Sequence, residues 1–235
     1  EFYMYTDNGV FNKKGLDFGT RVLLENIEIN NKHSFLDVGC GCGPIGIYIL
    51  LNTNNSVVDM IDVNDRALKL TKMGLKKNHV NAFQKAYGLD YRVIDEEHSS
   101  SIIEDILKLQ EEWCKWKDCD NSPSLLAENE AIFRVVGNFD RIPGLCGGAL
   151  YVDNAIAAFS IGEKIGDMII VHFEKARSEL KGGYQAINHS FANISASGMR
   201  FINREQDMGE LGLRQAKETY HPAGFLKKYR LVINA

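Results

Sequence analysis

The chain has 235 residues, of which 45% are apolar and 25% are charged, and this composition excludes a disordered or fibrous protein. The formal net charge of -4 excludes a strongly basic protein that binds nucleic acid irrespective of sequence. No apolar run approaches the roughly 18 residues that span a bilayer, and no signal peptide is visible, so we expect a cytoplasmic protein without a transmembrane segment. The chain begins with Glu, and we expect a fragment or a processed product.

The cysteine pattern bears on disulfides and metals. Five cysteines are an odd number, and their spacings are irregular. Cys40 and Cys42 lie in a glycine-rich stretch, whereas Cys114 and Cys119 have no second ligand pair at zinc spacing. We therefore predict reduced thiols, no disulfide framework and no metal site.

The first part of the chain alternates helices and strands. Its apolar patterns predict a helix around Val22 to Ile27, a strand over 34–38, a helix over 44–51, a strand over 56–62 and a helix over 65–77. Strand-helix-strand-helix at this spacing indicates a βαβα unit with parallel strands. The first part is thus predicted to be a partial Rossmann-like half.

The second part has a different order of elements. Its patterns predict a strand over 91–94, helices over 102–116 and 124–138, strands over 148–152, 155–163 and 168–175, a helix over 183–193, a strand over 200–203, a helix over 211–220 and a strand over 229–233. The pair Asp153-Asn154 favours a hairpin turn. This order predicts a mixed α/β domain. We place the two domains at residues 1–80 and 81–235.

A glycine-rich loop is the sharpest local motif of the first part. The stretch Phe35-Leu36-Asp37-Val38-Gly39-Cys40-Gly41-Cys42-Gly43-Pro44 runs from a predicted strand into a predicted helix. Glycine permits positive φ and a close approach of a ligand to the backbone, and a helix N-terminus offers free N–H groups. Asp62 follows about 20 residues later at the end of the next strand, where an acid suits a ribose diol.

This loop and the upstream stretch from Asn8 to Arg21 resemble the methyltransferase small-domain family, which includes ribosomal-RNA guanine-N2 methyltransferases. The resemblance covers residues 3 to about 80. It implies S-adenosylmethionine as a cofactor, with the ribose held by Asp62 and the methionine side lined by Asp37, Gly39, Gly41 and Gly43. The alternative is a structural strand-to-helix turn with a buried Asp. The family's Asn-Pro-Pro-aromatic motif has no counterpart, because no Pro-Pro occurs in this chain. The first part therefore resembles about half of such a domain.

The second part, from about Lys76 to the end, resembles another family, the C-terminal domain of phosphatidylglycerol lysyltransferases and their uncharacterised bacterial relatives. The motifs that carry the resemblance are Leu109-Gln110-Glu111-Glu112-Trp113, Ser124-Leu125-Leu126-Ala127-Glu128-Asn129, His172-Phe173-Glu174-Lys175-Ala176, Gly182-Gly183-Tyr184-Gln185-Ala186-Ile187-Asn188, Phe201-Ile202-Asn203-Arg204-Glu205-Gln206-Asp207-Met208-Gly209 and Leu213-Arg214-Gln215-Ala216-Lys217-Glu218-Thr219-Tyr220-His221-Pro222. The resemblance implies a GNAT-like fold and a transferase that uses an aminoacyl-tRNA or acyl-coenzyme A donor. We also expect the acceptor of the transferred group to be a small molecule or a lipid.

Acyl transfer needs a cradle for the donor and a base or oxyanion stabiliser. Lys181-Gly182-Gly183 is a candidate anion-binding turn, although it departs from the strict acetyl-coenzyme A loop. Candidate catalytic residues are Glu174, Asn203, Arg204, Glu205, Asp207 and His221. Alternative interpretations are an Arg204–Asp207 ion pair, a paired rim of Glu174 and Lys175, and a capping role for His221. The other histidines, including His172, show no metal spacing and are assigned no role.

The two resemblances meet at Gly74 to Phe83, and we interpret the chain as a fusion. One hypothesis is acyl or aminoacyl transfer by the second part beside a vestigial cofactor-binding half. A second is a methyltransferase acting on RNA or another amine, and a third is a non-catalytic binding module. The excess of acidic residues falls after residue 82, which weighs against a tRNA donor. The half-sheet exposes an apolar face, which docking on the second part or dimerisation would cover.

Overall fold

The computed structural model of the chain divides into two compact units. One unit spans Glu1–Glu205 and the other begins at Gln206. The residues that the structure describes are 2–11, 13–53, 56–94, 99–207, 209–218, 220 and 222–226. Within those ranges, no helix is both long enough and apolar enough to cross a membrane.

A parallel βαβ arrangement opens the first unit, as the alternating pattern predicts. Its elements are α1 (Phe18–Asn26), β1 (Ser34–Val38), α2 (Pro44–Asn52) and β2 (Val57–Ile61). The two strands pair in parallel, with Ser34 opposite Val57 and Val38 opposite Ile61. They form a two-stranded sheet, so the partial Rossmann-like half is present.

A single helix of 23 residues, α3 (Asp65–Tyr87), follows β2. Asn64 caps its first turn by accepting hydrogen bonds from two backbone N–H groups. The helix continues beyond Lys77, where the predicted helix ends. The side chain of Asn78 accepts a hydrogen bond from the Tyr3 N–H at 2.7 Å and donates to the Tyr3 carbonyl at 2.6 Å. Because these tertiary bonds satisfy Asn78, a residue of low helix propensity does not end the helix.

A five-stranded mixed sheet forms the rest of the first unit. Its elements are β3 (Asp90–Val93), α4 (Ser99–Lys117), α5 (Pro123–Val136), β4 (Leu145–Val152), β5 (Ala155–Ile165), β6 (Met168–Ala176), α6 (Gly183–Asn193) and β7 (Phe201–Asn203). The strand order is β3-β4-β5-β6-β7, and all neighbours are antiparallel except the parallel pair β6 and β7. Asp153 and Asn154 both have positive φ, as the predicted hairpin turn requires. The mixed α/β domain that the order of elements predicts is thus confirmed.

Helices cover both faces of the five-stranded sheet. On one face, Ile106 of α4 and Ile132 of α5 pack in a core with Phe159 of β5. On the other face, Phe83 of α3 and Ile187 of α6 pack against the sheet. Since α3 also packs against α2, this one helix contributes to both the βαβ arrangement and the five-stranded sheet.

Cys114 and Cys119 form a disulfide, so the prediction of no disulfide was wrong for this pair. Cys114 lies near the end of α4, and Asp118 then turns the chain in a left-handed conformation with φ of 52°. The turn brings the two cysteine Cα atoms to 5.1 Å, within the usual range for a disulfide. The other three cysteines are free thiols.

The second unit contains the helix α7 (Leu211–Glu218). Asp207 precedes the helix and pairs with Arg214, and Lys217 Nζ donates to the Gln206 carbonyl at 2.6 Å. The ion pair holds the pKa of Asp207 at about 2. The predicted strand over 229–233 lies outside the described residues.

Candidate functional site

The glycine loop, residues Gly39–Gly43, connects β1 to α2 in a conformation that glycine makes accessible. Gly39, Gly41 and Gly43 all have positive φ. A Cβ at Gly43 would lie 2.3 Å from Thr71 Cγ2 of α3, so this position also needs glycine for packing. Thr71 Oγ1 donates to the Gly41 carbonyl at 2.9 Å, so α3 holds the glycine loop through this hydrogen bond.

Two carboxylates accept hydrogen bonds from the backbone of the glycine loop and of the helix that follows it. Asp62 accepts hydrogen bonds at 2.7 Å from the N–H of Asn64 and at 2.7 Å from the N–H of Gly41. These backbone donors lower the pKa of Asp62, so its carboxylate is charged at neutral pH. Asp37 accepts from the N–H of Gly46 at 3.2 Å, and burial raises its pKa above the usual value.

A cavity of about 300 Å³ lies above the glycine loop. Four of the five predicted cofactor-binding residues, Asp37, Gly39, Gly41 and Asp62, line it, whereas Gly43 begins α2 as its left-handed N-cap. The opposite wall comes from the segment before β1. The residues of that wall are Met4, Phe11, Gly15, Leu16, Asp17 and Thr20. This glycine-loop cavity is at the lower end of the size range of small-molecule sites.

A second polar site lies where β6 and β7 separate. The two strands pair only from Met168 opposite Phe201 to Ile170 opposite Asn203, and β6 then continues to Ala176 paired with β5 but without β7. We call the polar region beyond this pairing the β6–β7 cleft. The register of β5 against β6 shifts here, so His172 falls at a bulge between paired neighbours. Bulges re-aim side chains and are frequent beside active sites.

His172 lies between two carboxylates in the β6–β7 cleft. Its Nδ1 is 2.8 Å from Glu205 Oε1 and its Nε2 is 3.1 Å from Glu163 Oε2. Glu205 follows β7 in a left-handed conformation, and its N–H donates to Asn203 Oδ1 at 2.8 Å. Asn203 therefore shapes the chain turn that brings Glu205 to the imidazole. The sequence assigned no role to His172, and no local pattern pairs it with Glu163.

Arg204 and Glu174 form a largely buried ion pair across the same cleft. Arg204 Nη2 donates to Glu174 Oε1 at 3.1 Å, and Asn188 of α6 donates to the other carboxylate oxygen at 3.2 Å. Lys76 of α3 lies near Arg204, and burial together with this neighbouring charge lowers the pKa of Lys76 to about 8. The alternative of an ion pair between Arg204 and Asp207 stays a prediction, and Asp207 itself pairs with Arg214.

Glu174 and Lys175 point to different partners, so they do not form a paired rim. Lys175 Nζ is 2.8 Å from Glu128 Oε2 and 3.9 Å from the centroid of the Trp113 ring. Trp113 Nε1 in turn donates to the Tyr184 hydroxyl at 3.2 Å. Four of the six motifs that carry the second resemblance therefore contribute a residue to this one group of contacts. His221, the remaining predicted base, lies outside the described residues.

The predicted anion-binding turn at the start of α6 is occupied by the chain itself. Lys181 Nζ donates to the carbonyls of Leu50 at 2.5 Å and Thr53 at 2.8 Å, at the end of α2. A Cβ at Gly182 would lie 2.8 Å from the His79 carbonyl oxygen, so α3 packs directly on the turn. These contacts leave little room for a diphosphate at this helix N-terminus.

Comparison with known families identifies two overlapping matches. The family described as phosphatidylglycerol lysyltransferase, C-terminal, matches residues 57–232. The family described as methyltransferase small domain matches residues 1–103. Both of the resemblances noted in the sequence are thereby confirmed. The overlap, residues 57–103, contains the whole of α3.

Individual relatives match only part of the chain. A conserved protein of unknown function from Bacteroides thetaiotaomicron has a solved structure that is 38% identical, with a TM-score of 0.60, over 67% of this chain and 52% of that chain. The uncharacterized protein YbxB of Bacillus subtilis is 40% identical over 34% of this chain and 40% of its own length. Ribosomal RNA small subunit methyltransferase C of Haemophilus influenzae is 38% identical over 33% of this chain and 23% of its own length. The chain thus spans less than half the length of these two curated relatives.

Proposed function

This chain belongs to the phosphatidylglycerol lysyltransferase C-terminal family, and from that premise we propose that it transfers an acyl or aminoacyl group in the β6–β7 cleft. The observation that carries the proposal is the imidazole of His172 held between Glu163 and Glu205 at a strand bulge. Acyl transfer to an amine or hydroxyl requires a group that removes a proton from the nucleophile, and histidine is the residue most often used.

In this proposal Glu205 orients the ring and the acceptor replaces Glu163 at Nε2. Glu205 fixes the proton on Nδ1, which leaves Nε2 as the base, as an orienting carboxylate does in other nucleophile-activating sites. The acceptor nitrogen or oxygen attacks the donor carbonyl carbon while its proton passes to His172 Nε2. The bond from that carbon to the donor leaving group then breaks, and His172 returns the proton to the leaving oxygen or sulfur.

Arg204 supplies the positive charge that such a step needs. The transition state of acyl transfer places negative charge on the carbonyl oxygen, and a preorganised cation stabilises it. Asn188 of α6 holds the Glu174 carboxylate, and Glu174 in turn holds the guanidinium, so Arg204 needs little reorganisation on substrate binding. In this role Glu174 is a positioning residue and Arg204 touches the reacting atoms.

The occupied turn before α6 favours an aminoacyl ester as donor over coenzyme A. A coenzyme A donor carries a diphosphate, and the turn that would receive it already binds Thr53 through Lys181. An aminoacyl-tRNA presents its ester at a single-stranded end and does not need that turn. The acceptor in this proposal is a small-molecule or lipid amine or hydroxyl.

A transfer assay tests this proposal. Radiolabelled lysyl-tRNA and alanyl-tRNA are incubated with the protein and phosphatidylglycerol vesicles, and label in the lipid phase is counted. Acetyl-coenzyme A with a polyamine acceptor is the parallel reaction. We expect transfer from an aminoacyl donor and a loss of about 100-fold or more in His172→Gln. The matched control is His33→Gln, an exposed histidine before β1, which should keep the full rate. Equal rates in both variants would contradict the role of His172, whereas no transfer by the wild type would contradict the transferase itself.

A second candidate function is S-adenosylmethionine binding in the glycine-loop cavity. The cavity combines backbone N–H groups of the loop with the charged Asp62, and a nucleoside offers a diol and ring nitrogens to such groups. Asp62 and Asp37 are the residues that would hold it. S-adenosylmethionine, when bound, supplies an electrophilic methyl group. Because the described sheet next to the loop has only two strands, we propose binding at this cavity and leave methyl transfer as an alternative.

Calorimetric titration with S-adenosylmethionine tests the binding proposal. We expect saturable binding by the wild type and affinity reduced at least about tenfold in Asp62→Asn, because one charge-assisted hydrogen bond is lost. Asp59→Asn is the matched control, since Asp59 is exposed on β2 and does not line the cavity. Unchanged affinity in Asp62→Asn would overturn the assignment. No binding of S-adenosylmethionine together with no transfer would favour the non-catalytic module.

A further inference from the structure

Helix α3 has a charge opposite to that of the chain as a whole. Six of its 23 residues are Lys or Arg and one is Asp, whereas the whole chain has a formal net charge of -4. Three of these cations, Lys69, Lys72 and Lys76, follow the spacing i, i+3 and i+7, and residues at that spacing lie on one face of a helix. We call these three residues the α3 lysine row.

The α3 lysine row is open to solvent at one end and reaches the β6–β7 cleft at the other. Lys69 and Lys72 are exposed, and the ion pairs within the described part of the chain involve neither of them. Lys76 is half-buried and lies near Arg204. Seven residues further on the same face, Phe83 packs against the five-stranded sheet. The row therefore extends about 10 Å along the helix axis, away from the sheet and the cleft.

The β6–β7 cleft continues the positive charge of the row. Lys76 lies near Arg204, whose guanidinium donates to Glu174 at 3.1 Å. Glu205, the next residue, holds the imidazole of His172 at 2.8 Å. An anion that binds beside Lys76 and Arg204 is attracted by both charges, and the partial burial of the two side chains reduces the screening of that attraction. A molecule that follows the row inward therefore ends beside the imidazole.

We propose that the α3 lysine row binds the phosphodiester backbone of a single-stranded RNA end and guides its acylated terminus into the β6–β7 cleft. This inference rests on the acyl transfer proposed for that cleft. Charge complementarity identifies the occupant, because a nucleic-acid strand carries one negative charge per nucleotide and proteins follow such a strand with a row of cations. The negative net charge of the rest of the chain repels RNA elsewhere and so confines it to the row.

An anionic lipid surface also attracts lysines, but the apolar side of α3 argues against it. Helices that lie in the interface of a bilayer insert an apolar face between the lipids. The apolar residues Ala67, Val80 and Phe83 of α3 are buried within the protein, so little apolar surface is left on this helix for insertion. A polyanion in water needs only the exposed cations.

Fluorescence anisotropy of labelled, deacylated tRNA with the whole chain tests the proposal between about 50 and 200 mM KCl. We expect saturable binding whose logarithm falls with the logarithm of salt at a slope of about -2, as three phosphate contacts predict. Lys69→Gln with Lys72→Gln should raise the dissociation constant at least about tenfold at 0.1 M salt, and the slope should become shallower by about 1.4. The matched control is Lys115→Gln with Lys117→Gln, which removes two exposed lysines from the end of α4, and it should bind like the wild type.

Binding of deacylated tRNA requires no transfer, so the RNA surface and the proposed reaction are tested separately. His172→Gln should bind the tRNA like the wild type, and tRNA binding by a wild type without transfer activity would contradict the reaction but support the row. A wild type that does not bind tRNA at about 50 mM KCl overturns the inference. So does an equal loss in the two double variants, both folded as judged by their unfolding midpoints. Retention on phosphatidylserine vesicles that depends on Lys69 and Lys72, without tRNA binding, would overturn it in favour of a membrane surface.

Discussion

Asp37 is a buried carboxylate of β1 that accepts one hydrogen bond from the N–H of Gly46 in the first turn of α2. Burial raises its pKa above the usual 3.8, so its charge is unfavourable in the folded state. The group contributes most stability below pH 3.8, where it is neutral in both states. That contribution is lost as the pH rises through the raised pKa of the folded state.

We expect Asp37→Asn to be as stable as the wild type or more stable at pH 7, because the amide oxygen still accepts from Gly46 without a charge. Asp37 also lines the cavity, where the new amide group has access to water. The advantage of the variant should disappear as the pH falls to 3.8. Asp37→Ala should lose about 1 kcal/mol at pH 7, because the Gly46 N–H then lacks its acceptor. Urea unfolding at several pH values measures both, and an advantage of Asp37→Asn that grows on acidification would contradict the argument.

Residues of the two sites differ in how far sequence predicts them. The glycine loop and Asp62 are predictable, because the strand, the loop and the helix that position them are contiguous and the acid follows at a fixed distance. The role of His172 is not predictable from sequence, because its environment combines a bulge in β6 with a carboxylate from β5 and another from the residues after β7. Sequence spacing alone contains no information on such a meeting of three separate segments.

At the scale of elements, the start of α6 is held closely against α3. Gly182 has φ of 87°, and a Cβ there would meet the His79 carbonyl. Gly198, in the turn after α6, has φ of 82° with nothing within 4 Å of a built Cβ. The two glycines thus share a backbone conformation and differ in packing.

This pair separates conformational strain from steric overlap. We expect Gly198→Ala to lose about 1–2 kcal/mol, the left-handed penalty alone. Gly182→Ala should lose about 2–5 kcal/mol, because overpacking against a backbone carbonyl adds to that penalty. Urea denaturation of the two variants measures the difference. Equal losses would show that α3 does not press on this turn.

The predicted boundaries of helices and strands agree with the structure where local sequence rules determine them. They differ where tertiary contacts determine them. Pro44 after Gly43 marks the start of α2, and a hairpin turn separates β4 from β5, as predicted. Helix α3 continues ten residues beyond its predicted end at Lys77, and Asn78 in that extension is bonded to Tyr3, which is far away in sequence. The disulfide between Cys114 and Cys119 likewise depends on the left-handed conformation of Asp118, which cysteine number and spacing do not predict.

At the scale of the whole molecule, the predicted domain boundary near residue 80 falls within α3, which has no break there. We expect a fragment of residues 65–235 to unfold in one cooperative thermal transition, because α3 remains whole against α6. A fragment of residues 81–235 should show a lower and broader transition, since it lacks the turns of α3 that contain Lys76, which lies near Arg204, and His79, which packs on Gly182. Differential scanning calorimetry distinguishes the two, and identical midpoints would mean that the boundary near residue 80 separates independent domains.

The continuity of α3 also constrains how two families can be joined in one chain. Each residue added to an α-helix rotates everything after it by about 100°. One extra residue at Lys77 would turn Phe83 away from the sheet that it packs against, while the earlier turns kept their contacts with α2. Seven extra residues would return the face almost to its place. A junction inside this helix therefore preserves the contacts of both halves only when the two helix faces keep their relative orientation. Recombination within α3 is then tolerated only when the number of residues gained or lost is close to a whole number of helical turns.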